Sequence, residues 1–157
     1  MPVKPSQNLP NDLSVFLYPS LAFFEGTPLS VGRGTTSQFQ LYGSPYYKKT
    51  TFTFKPVSRE GAKHPKYQNK RCYGVDLRGE FINPSDGINL SYLLDAYKHY
   101  RYSKKFFLKN RFIDKLAGSS NLRKQILAGR SAKQIKKSWQ KGLNKFKTVR
   151  QKYLIYP

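Results

Sequence analysis

Residues 23–36 read Phe-Phe-Glu-Gly-Thr-Pro-Leu-Ser-Val-Gly-Arg-Gly-Thr-Thr, and the other segments of the chain are best understood by their relation to this one. Glu25 is one of only eight acidic residues among 157. Arg33 stands between Gly32 and Gly34, and glycines on both sides permit backbone angles and close approaches denied to other residues. Thr27, Ser30, Thr35 and Thr36 add short hydroxyl donors and acceptors. A carboxylate, a guanidinium and several hydroxyls on a tight turn form the polar set that a ligand such as a sugar requires. The same residues also suit a structural turn in which Glu25 and Arg33 simply pair, and the stretch alone does not decide between the two. Two phosphate-binding patterns are excluded. Gly32-Arg33-Gly34 runs on through Thr35-Thr36-Ser37 with no third glycine, and no Gly-Lys-Ser/Thr follows.

Upstream, residues 1–11 carry Pro2, Pro5 and Pro10 without apolar periodicity, which predicts an extended linker before a single domain over 12–157. Leu13, Phe16 and Leu17 open an apolar patch. Pro19 is expected in the first turn of a short helix running to about Phe24, with Gly26 ending it. Downstream, Ser30 and Val31 suggest a brief strand. Residues 38–42 alternate loosely up to a turn at Gly43-Ser44-Pro45. Residues 50–57 (Thr-Thr-Phe-Thr-Phe-Lys-Pro-Val) alternate strictly and predict the clearest strand. Residues 58–69 read as a polar surface loop containing Pro65, and residues 70–78 as a second strand with Cys72, Val75 and Leu77 apolar.

The second half is helical in character. After a turn at Pro84-Ser85-Asp86-Gly87, Asn89 is placed to cap a helix bearing Leu93, Leu94 and Tyr97. Residues 106–117 predict a helix with Phe112, Ile113 and Leu116 inward and Gly118 at its end. Residues 121–128 predict another, with Leu122 and Ile126 inward and Gly129 closing it. The best-defined helix follows Ser131 and Gln134, which match a capping box. Its stripe of Ile135, Trp139, Leu143 (or Gly142), Phe146 and Val149 is expected to be core. Lys133, Lys136, Lys137, Lys141, Lys145, Lys147 and Lys152 lie mostly off that stripe, as a solvated face or a binding surface. Strands followed by segregated helices indicate an α+β fold: a small mixed or antiparallel sheet from the N-terminal half, packed by several helices from the C-terminal half.

The totals narrow the function classes. The formal charge is +21, from 29 Lys/Arg against 8 Asp/Glu, and residues 98–157 hold eighteen of the cations and one acid, Asp114. Such a field draws polyanions and is screened by salt; nucleic acid, an anionic cell-wall polymer and an acidic partner domain all fit it. Twelve Tyr and eleven Phe supply most of the 15% aromatic content, suited to packing and also to stacking on sugars or bases. Cys72 is alone, so neither an internal disulfide nor a cysteine metal cluster is expected. His64 and His99 have no ligand-spaced companion, and no metal or cofactor is implied. No apolar run reaches the roughly 20 residues of a membrane span, and no apolar signal segment opens the chain.

Several spaced motifs agree on a resemblance. Tyr18-Pro19-Ser20-Leu21, Phe24-Glu25-Gly26-Thr27 and Ser30-Val31-Gly32-Arg33-Gly34-Thr35 are followed in order by Gly74-Val75-Asp76-Leu77-Arg78, Gly87-Ile88-Asn89-Leu90, Leu116-Ala117-Gly118, Ile135 to Trp139, and Tyr153-Leu154-Ile155-Tyr156-Pro157. Together with the proline-rich opening, they resemble the C-terminal domain of the NamZ-type exo-β-N-acetylmuramidases over essentially the whole chain. The departures are modest: Ser119 stands where threonine is common, and the helices are unusually rich in lysine. The resemblance implies a peptidoglycan-derived sugar as partner, with N-acetylmuramic acid released from non-reducing ends. It also implies a Rossmann-like catalytic domain preceding this one, a cleft between the two, and a place in the bacterial envelope, periplasm or medium.

Glycoside hydrolysis commonly uses two carboxyl groups, roughly 5–5.5 Å apart for retention or 6.5–9.5 Å for inversion. Glu25 and Asp76 are the candidates within family-like motifs, and nothing in the sequence brings them together. The family's proposed catalytic carboxylates belong to the preceding domain, so the catalytic residues stay unassigned. The expected role is substrate positioning by Arg33, Glu25, Thr27, Thr35, Asp76 and Arg78, with Arg33 gripping the lactyl carboxylate of muramic acid. The rivals are a basic module holding nucleic acid or another anionic polymer, against which no named nucleic-acid motif appears, and a purely structural docking domain.

Overall fold

The computed structural model describes residues 5–48 and 50–156. Positions 1–4 of the expected linker and Pro157 of the closing motif lie outside them. Five helices and a three-stranded antiparallel sheet are formed among the described residues: α1 (Asp12–Leu21), β1 (Leu41–Ser44), β2 (Thr53–Phe54), β3 (Cys72–Asp76), α2 (Ser91–His99), α3 (Phe112–Leu116), α4 (Asn121–Leu127) and α5 (Ala132–Gln151). The α+β expectation is met, with the sheet antiparallel throughout.

α1 starts seven residues before Pro19, because Asn11 caps it. The Asn11 side chain accepts from the Ser14 N–H, and the Ser14 hydroxyl oxygen accepts from the Asn11 N–H. Pro19 therefore sits near the helix end, where its missing N–H removes a bond close to the terminus. The chain then tightens into a 3-10 turn, Ala22–Gly26. Residues 5–11 do not run free of the domain: Asn11 also donates to the Gln40 side chain, and Gln7 and Asn8 donate to Glu60 and Gly61.

β3 is the central strand. It pairs with β1 through Leu41↔Asp76 and Ser44↔Tyr73, and with β2 through Thr53↔Tyr73 and Phe54↔Cys72. The segment expected to be the clearest strand contributes only two residues at the sheet edge. Pro56 cannot donate to a ladder and confines such a segment to an edge, and Phe52 and Phe54 stack on each other at 6.1 Å, half-buried. Gly43 and Ser44, expected in a turn, belong to β1.

The core is assembled by α1 and the helices of the second half, around Leu17, Leu21, Phe24, Tyr42, Leu93 and Ile113. An acidic knot joins the sheet to α2. The hydroxyls of Tyr42 and Tyr47 both donate to one Asp95 oxygen, at 3.3 and 2.7 Å, and the other oxygen lies 2.9 Å from His99 Nδ1. Burial raises both phenols well above their ordinary value, so both remain donors. α3 is shorter than the helix expected over 106–117, because Arg111 adopts a left-handed conformation with φ 53° and halts it at Phe112. Arg123 donates twice to Asp114, at 2.8 Å each, and ties α4 to α3.

The stripe on α5 divides in two. Ile135 is buried and Trp139 packs against the core. Beyond Trp139 every described residue is exposed, including Leu143 at 43%, Phe146 at 61% and Val149 at 49%. The expectation of a continuous core stripe therefore fails over the distal half. A 20-residue helix is about 30 Å long, and it outruns the body of the domain that its first two turns cover.

Two measurements check this account. In urea denaturation, Ile135→Ala is expected to remove about 2–5 kcal/mol of stability, while Phe146→Ser stays within about 0.5 kcal/mol of the parent. Burial pushes the Cys72 thiol up to about 12. A disulfide-exchange reagent at pH 8 should leave native Cys72 unmodified and label it on unfolding. An unfolded cysteine ionises near pH 8.5, so this residue's contribution to stability is complete below that pH and is lost as pH climbs towards 12.

Candidate functional site

The turn carrying Glu25 is fixed from beneath. Gly26 lies so close to α3 that a side chain there would collide with the backbone of Ile113, and its carbonyl accepts from the Leu108 N–H at 3.1 Å. The turn carrying Arg33 is fixed by its own hydrogen bonds. The Thr35 N–H and hydroxyl both donate to the Gly32 carbonyl, at 3.0 and 2.7 Å, and Ser37 N–H donates back to the Thr35 hydroxyl. Gly32 and Gly34 have φ of 80° and 83°, a region that side chains disfavour. Ser30 exchanges two main-chain bonds with Gly43 and so anchors the turn to the edge of β1.

These two turns present Glu25 and Arg33 to one open cleft of about 590 Å³. One wall is Phe24, Leu29 and Val31, with Phe112 at the start of α3. The opposite wall is the loop 61–66. That loop reaches the Arg33 turn because Gly34 has no side chain: a Cβ there would strike Pro65 and the Val57 carbonyl. The Val57 N–H donates to the Gly34 carbonyl at 2.9 Å. The loop is pinned at its base by the paired main-chain bonds of Arg59 and Ala62 and by Gln7 and Asn8.

Within the cleft, Arg33 Nη2 donates to Glu25 Oε1 at 3.0 Å, and both side chains keep substantial exposure, 43% and 37%. The guanidinium lies over the Phe39 ring, 5.5 Å from its centre. The pairing left open by the sequence is thus present, in a cleft wall that solvent reaches and not inside the core. Lys66 is the cation that sequence reasoning missed. Its Nζ crosses to the Glu25–Arg33 side and donates to the carbonyls of Thr27 and Leu29, at 2.8 and 3.2 Å. Burial of the amine lowers its pKa; the carboxylate of Glu25 opposes that shift and the charge of Arg33 adds to it. Only the Gly34–Pro65 contact could have suggested that a loop residue so distant in sequence joins this site.

The other expected site residues lie elsewhere. Thr27 is fully buried; its hydroxyl donates to the Phe24 carbonyl and accepts from the Leu29 N–H, and only its carbonyl reaches the cleft, through Lys66. Thr35 is engaged in its own turn and, with Arg78, borders a second concavity of about 290 Å³ beside Phe52 and Phe54. Asp76 and Arg78 form a closed pair, with Arg78 Nε and Nη2 bonded to the carboxylate at 2.7–3.1 Å and Arg78 5.9 Å from the Phe52 ring centre. Hydrogen bonds from Arg78 hold the Asp76 carboxyl below its usual range. Asp76 does not line the first cleft, so Glu25 is the one carboxylate among the described residues that do. No group of three His, Cys, Asp or Glu suited to a metal ion occurs among the described residues, and no helix among them is long and apolar enough to cross a membrane.

Comparison with known proteins agrees with this architecture. Residues 16–156 match the family profile described as exo-beta-N-acetylmuramidase NamZ, C-terminal. The chain is similar to the peptidoglycan beta-N-acetylmuramidase NamZ of Bacillus subtilis (strain 168), with 36% identity over 171 residues, covering 98% of this chain and 40% of that protein. Among solved structures, a DUF1343 family protein from Bacteroides fragilis superimposes with a TM-score of 0.91 and 44% identity, over 99% of this chain and 44% of that one. A second DUF1343 protein from the same organism gives a TM-score of 0.71 at 18% identity, over 99% and 45%, a likeness of fold alone. The chain spans less than half the length of each of these relatives. An α+β fold that carries Glu25 and Arg33 on a cleft wall and is matched from residue 16 to residue 156 places the chain in the NamZ exo-β-N-acetylmuramidase family, as its C-terminal domain.

Proposed function

We propose that this domain is the substrate-positioning half of a peptidoglycan β-N-acetylmuramidase that releases N-acetylmuramic acid from non-reducing ends. The observation that carries the reading is the position of Glu25 and Arg33, paired at 3.0 Å on the wall of an open cleft with apolar surface beside them. A volume of about 590 Å³ falls within the roughly 300–1,000 Å³ of small-molecule sites. Phe112, half-buried at the start of α3, offers surface to the face of a sugar ring, and Arg33 offers donors to its polar edge. Glu25 orients Arg33 and accepts from a sugar hydroxyl.

The chemistry itself is assigned to a companion domain. Hydrolysis by the two-carboxylate route needs a partner for Glu25, and Asp76, the other candidate, is bound to Arg78 away from this cleft. A Rossmann-like domain facing the cleft supplies the reacting carboxylates in this reading, and the enzyme works in the bacterial envelope, the periplasm or the medium. The distal half of α5 favours a docking role alongside the positioning one. Leu143, Phe146 and Val149 are exposed on a helix with seven Lys/Arg and no acid, a surface suited to an acidic, partly apolar neighbour.

In a complete two-domain enzyme containing this domain, Arg33→Ala is expected to lower kcat/KM on muramic acid substrates by about 10- to 100-fold, the worth of one charge-assisted contact. Unchanged turnover would remove Arg33 from the site. A filter-binding titration of the domain with single-stranded DNA across salt separates the polyanion reading. Weak binding that disappears at physiological salt agrees with the cell-wall assignment; tight binding with a steep salt slope would replace it.

A further inference from the structure

We propose that Lys66 is the anion anchor of the cleft. Its ammonium group binds the carboxylate of an acidic N-acetylhexosamine and sets the preference for that sugar over its neutral counterpart. The inference rests on reading the cleft as a sugar site, and it moves the weight of acid recognition from Arg33 to a residue on the facing loop.

Charge is the first argument. Arg33 already bonds to Glu25 at 3.0 Å and is stacked over Phe39, so an incoming carboxylate meets a pair of no net charge whose acid repels it. Lys66 lies within the field of both groups and leaves the three-residue cluster with one unbalanced positive charge. Lys63 and His64 line the same loop wall, and no further carboxylate lines the cleft among the described residues.

Geometry is the second. An ammonium carries three donors. Two of them go to the carbonyls of Thr27 and Leu29, at 2.8 and 3.2 Å, which fixes the position of Nζ between the Glu25 turn and the Arg33 turn. The third is left for a ligand. A long flexible side chain held at both ends of its reach loses less entropy on binding than a free surface lysine. Carboxylate contact here is compatible with simultaneous contact between Arg33 and the sugar's hydroxyl or acetamido groups, so the two cations divide the ligand between them.

The test titrates N-acetylmuramic acid and N-acetylglucosamine separately into the isotopically labelled 157-residue chain, following the amide resonances of Gly32, Arg33 and Gly34. The parent is expected to bind the acidic sugar about tenfold more tightly at low salt. Lys66→Met should bring the two affinities to within about threefold, with the neutral sugar's own affinity and the dispersion of the spectrum preserved. Lys66→Arg should restore part of the preference, which a loss of folding would not show. If Lys66→Met keeps the tenfold preference while Arg33→Ala abolishes it, Arg33 is the anchor and the proposal is wrong. If both sugars shift the cleft resonances equally in the parent, the anchor is refuted and the sugar site survives. If neither sugar shifts them, the sugar site falls and the anchor with it.

Discussion

The missing side chain of Gly34 is the constraint on which the cleft depends. With φ at 83° and Pro65 and the Val57 carbonyl occupying the space where a Cβ would stand, this residue lets the loop 61–66 close on the Arg33 turn. Any larger residue would have to push that loop outward while adopting a disfavoured backbone conformation. The separation of the loop from Glu25 and Arg33 sets the width of the cleft, and the Lys66 bridge to Thr27 and Leu29 spans the same gap. One glycine therefore governs both the shape of the cavity and the placement of its second cation.

The core is organised to hold these turns still. Gly26 rests on Ile113, so the Glu25 turn moves only if α3 moves. Ser30 is bonded to Gly43 of β1, and β1 with the segment just after it is held to α2 by the hydroxyls of Tyr42 and Tyr47 on Asp95. Positioning of a ligand needs such rigidity, since a charge-assisted hydrogen bond is strong only in a narrow range of distance and angle. Each wall is thus attached to a different part of the fold by bonds independent of the charged groups themselves.

Local signals carried much of the fold. The capping box of Ser131 and Gln134, the glycine closures at Gly118 and Gly129 and the inward pairs Leu122 and Ile126 stand where the pattern put them. The errors arose where a residue acts through something beyond its own neighbourhood. Asn11 moved the start of α1 by a side-chain cap. Pro56 reduced a strictly alternating segment to a two-residue edge. Arg111 cut α3 short through a left-handed backbone angle that propensity does not foresee in an arginine. In the cleft, Glu25 and Arg33 were legible because they lie eight residues apart, on two turns of one short stretch. Lys66 was not, because its partner carbonyls are 39 and 37 residues away and its own segment looks like any lysine-bearing loop.

The distal half of α5 shows a limit of periodicity itself. The three- and four-residue spacing of Ile135, Trp139, Leu143, Phe146 and Val149 specifies a face, but it does not specify what covers that face. Within this domain only the first two positions find cover. The flanking cations make self-association through the same surface unfavourable, since two such helices would bring together fourteen Lys/Arg and no acid, seven from each copy. An acidic neighbour reverses that sign while burying the same apolar atoms. The excess of positive charge in the second half of the chain is then intelligible as a property of the surface. Seven of those cations sit on the one helix whose distal half the domain leaves uncovered.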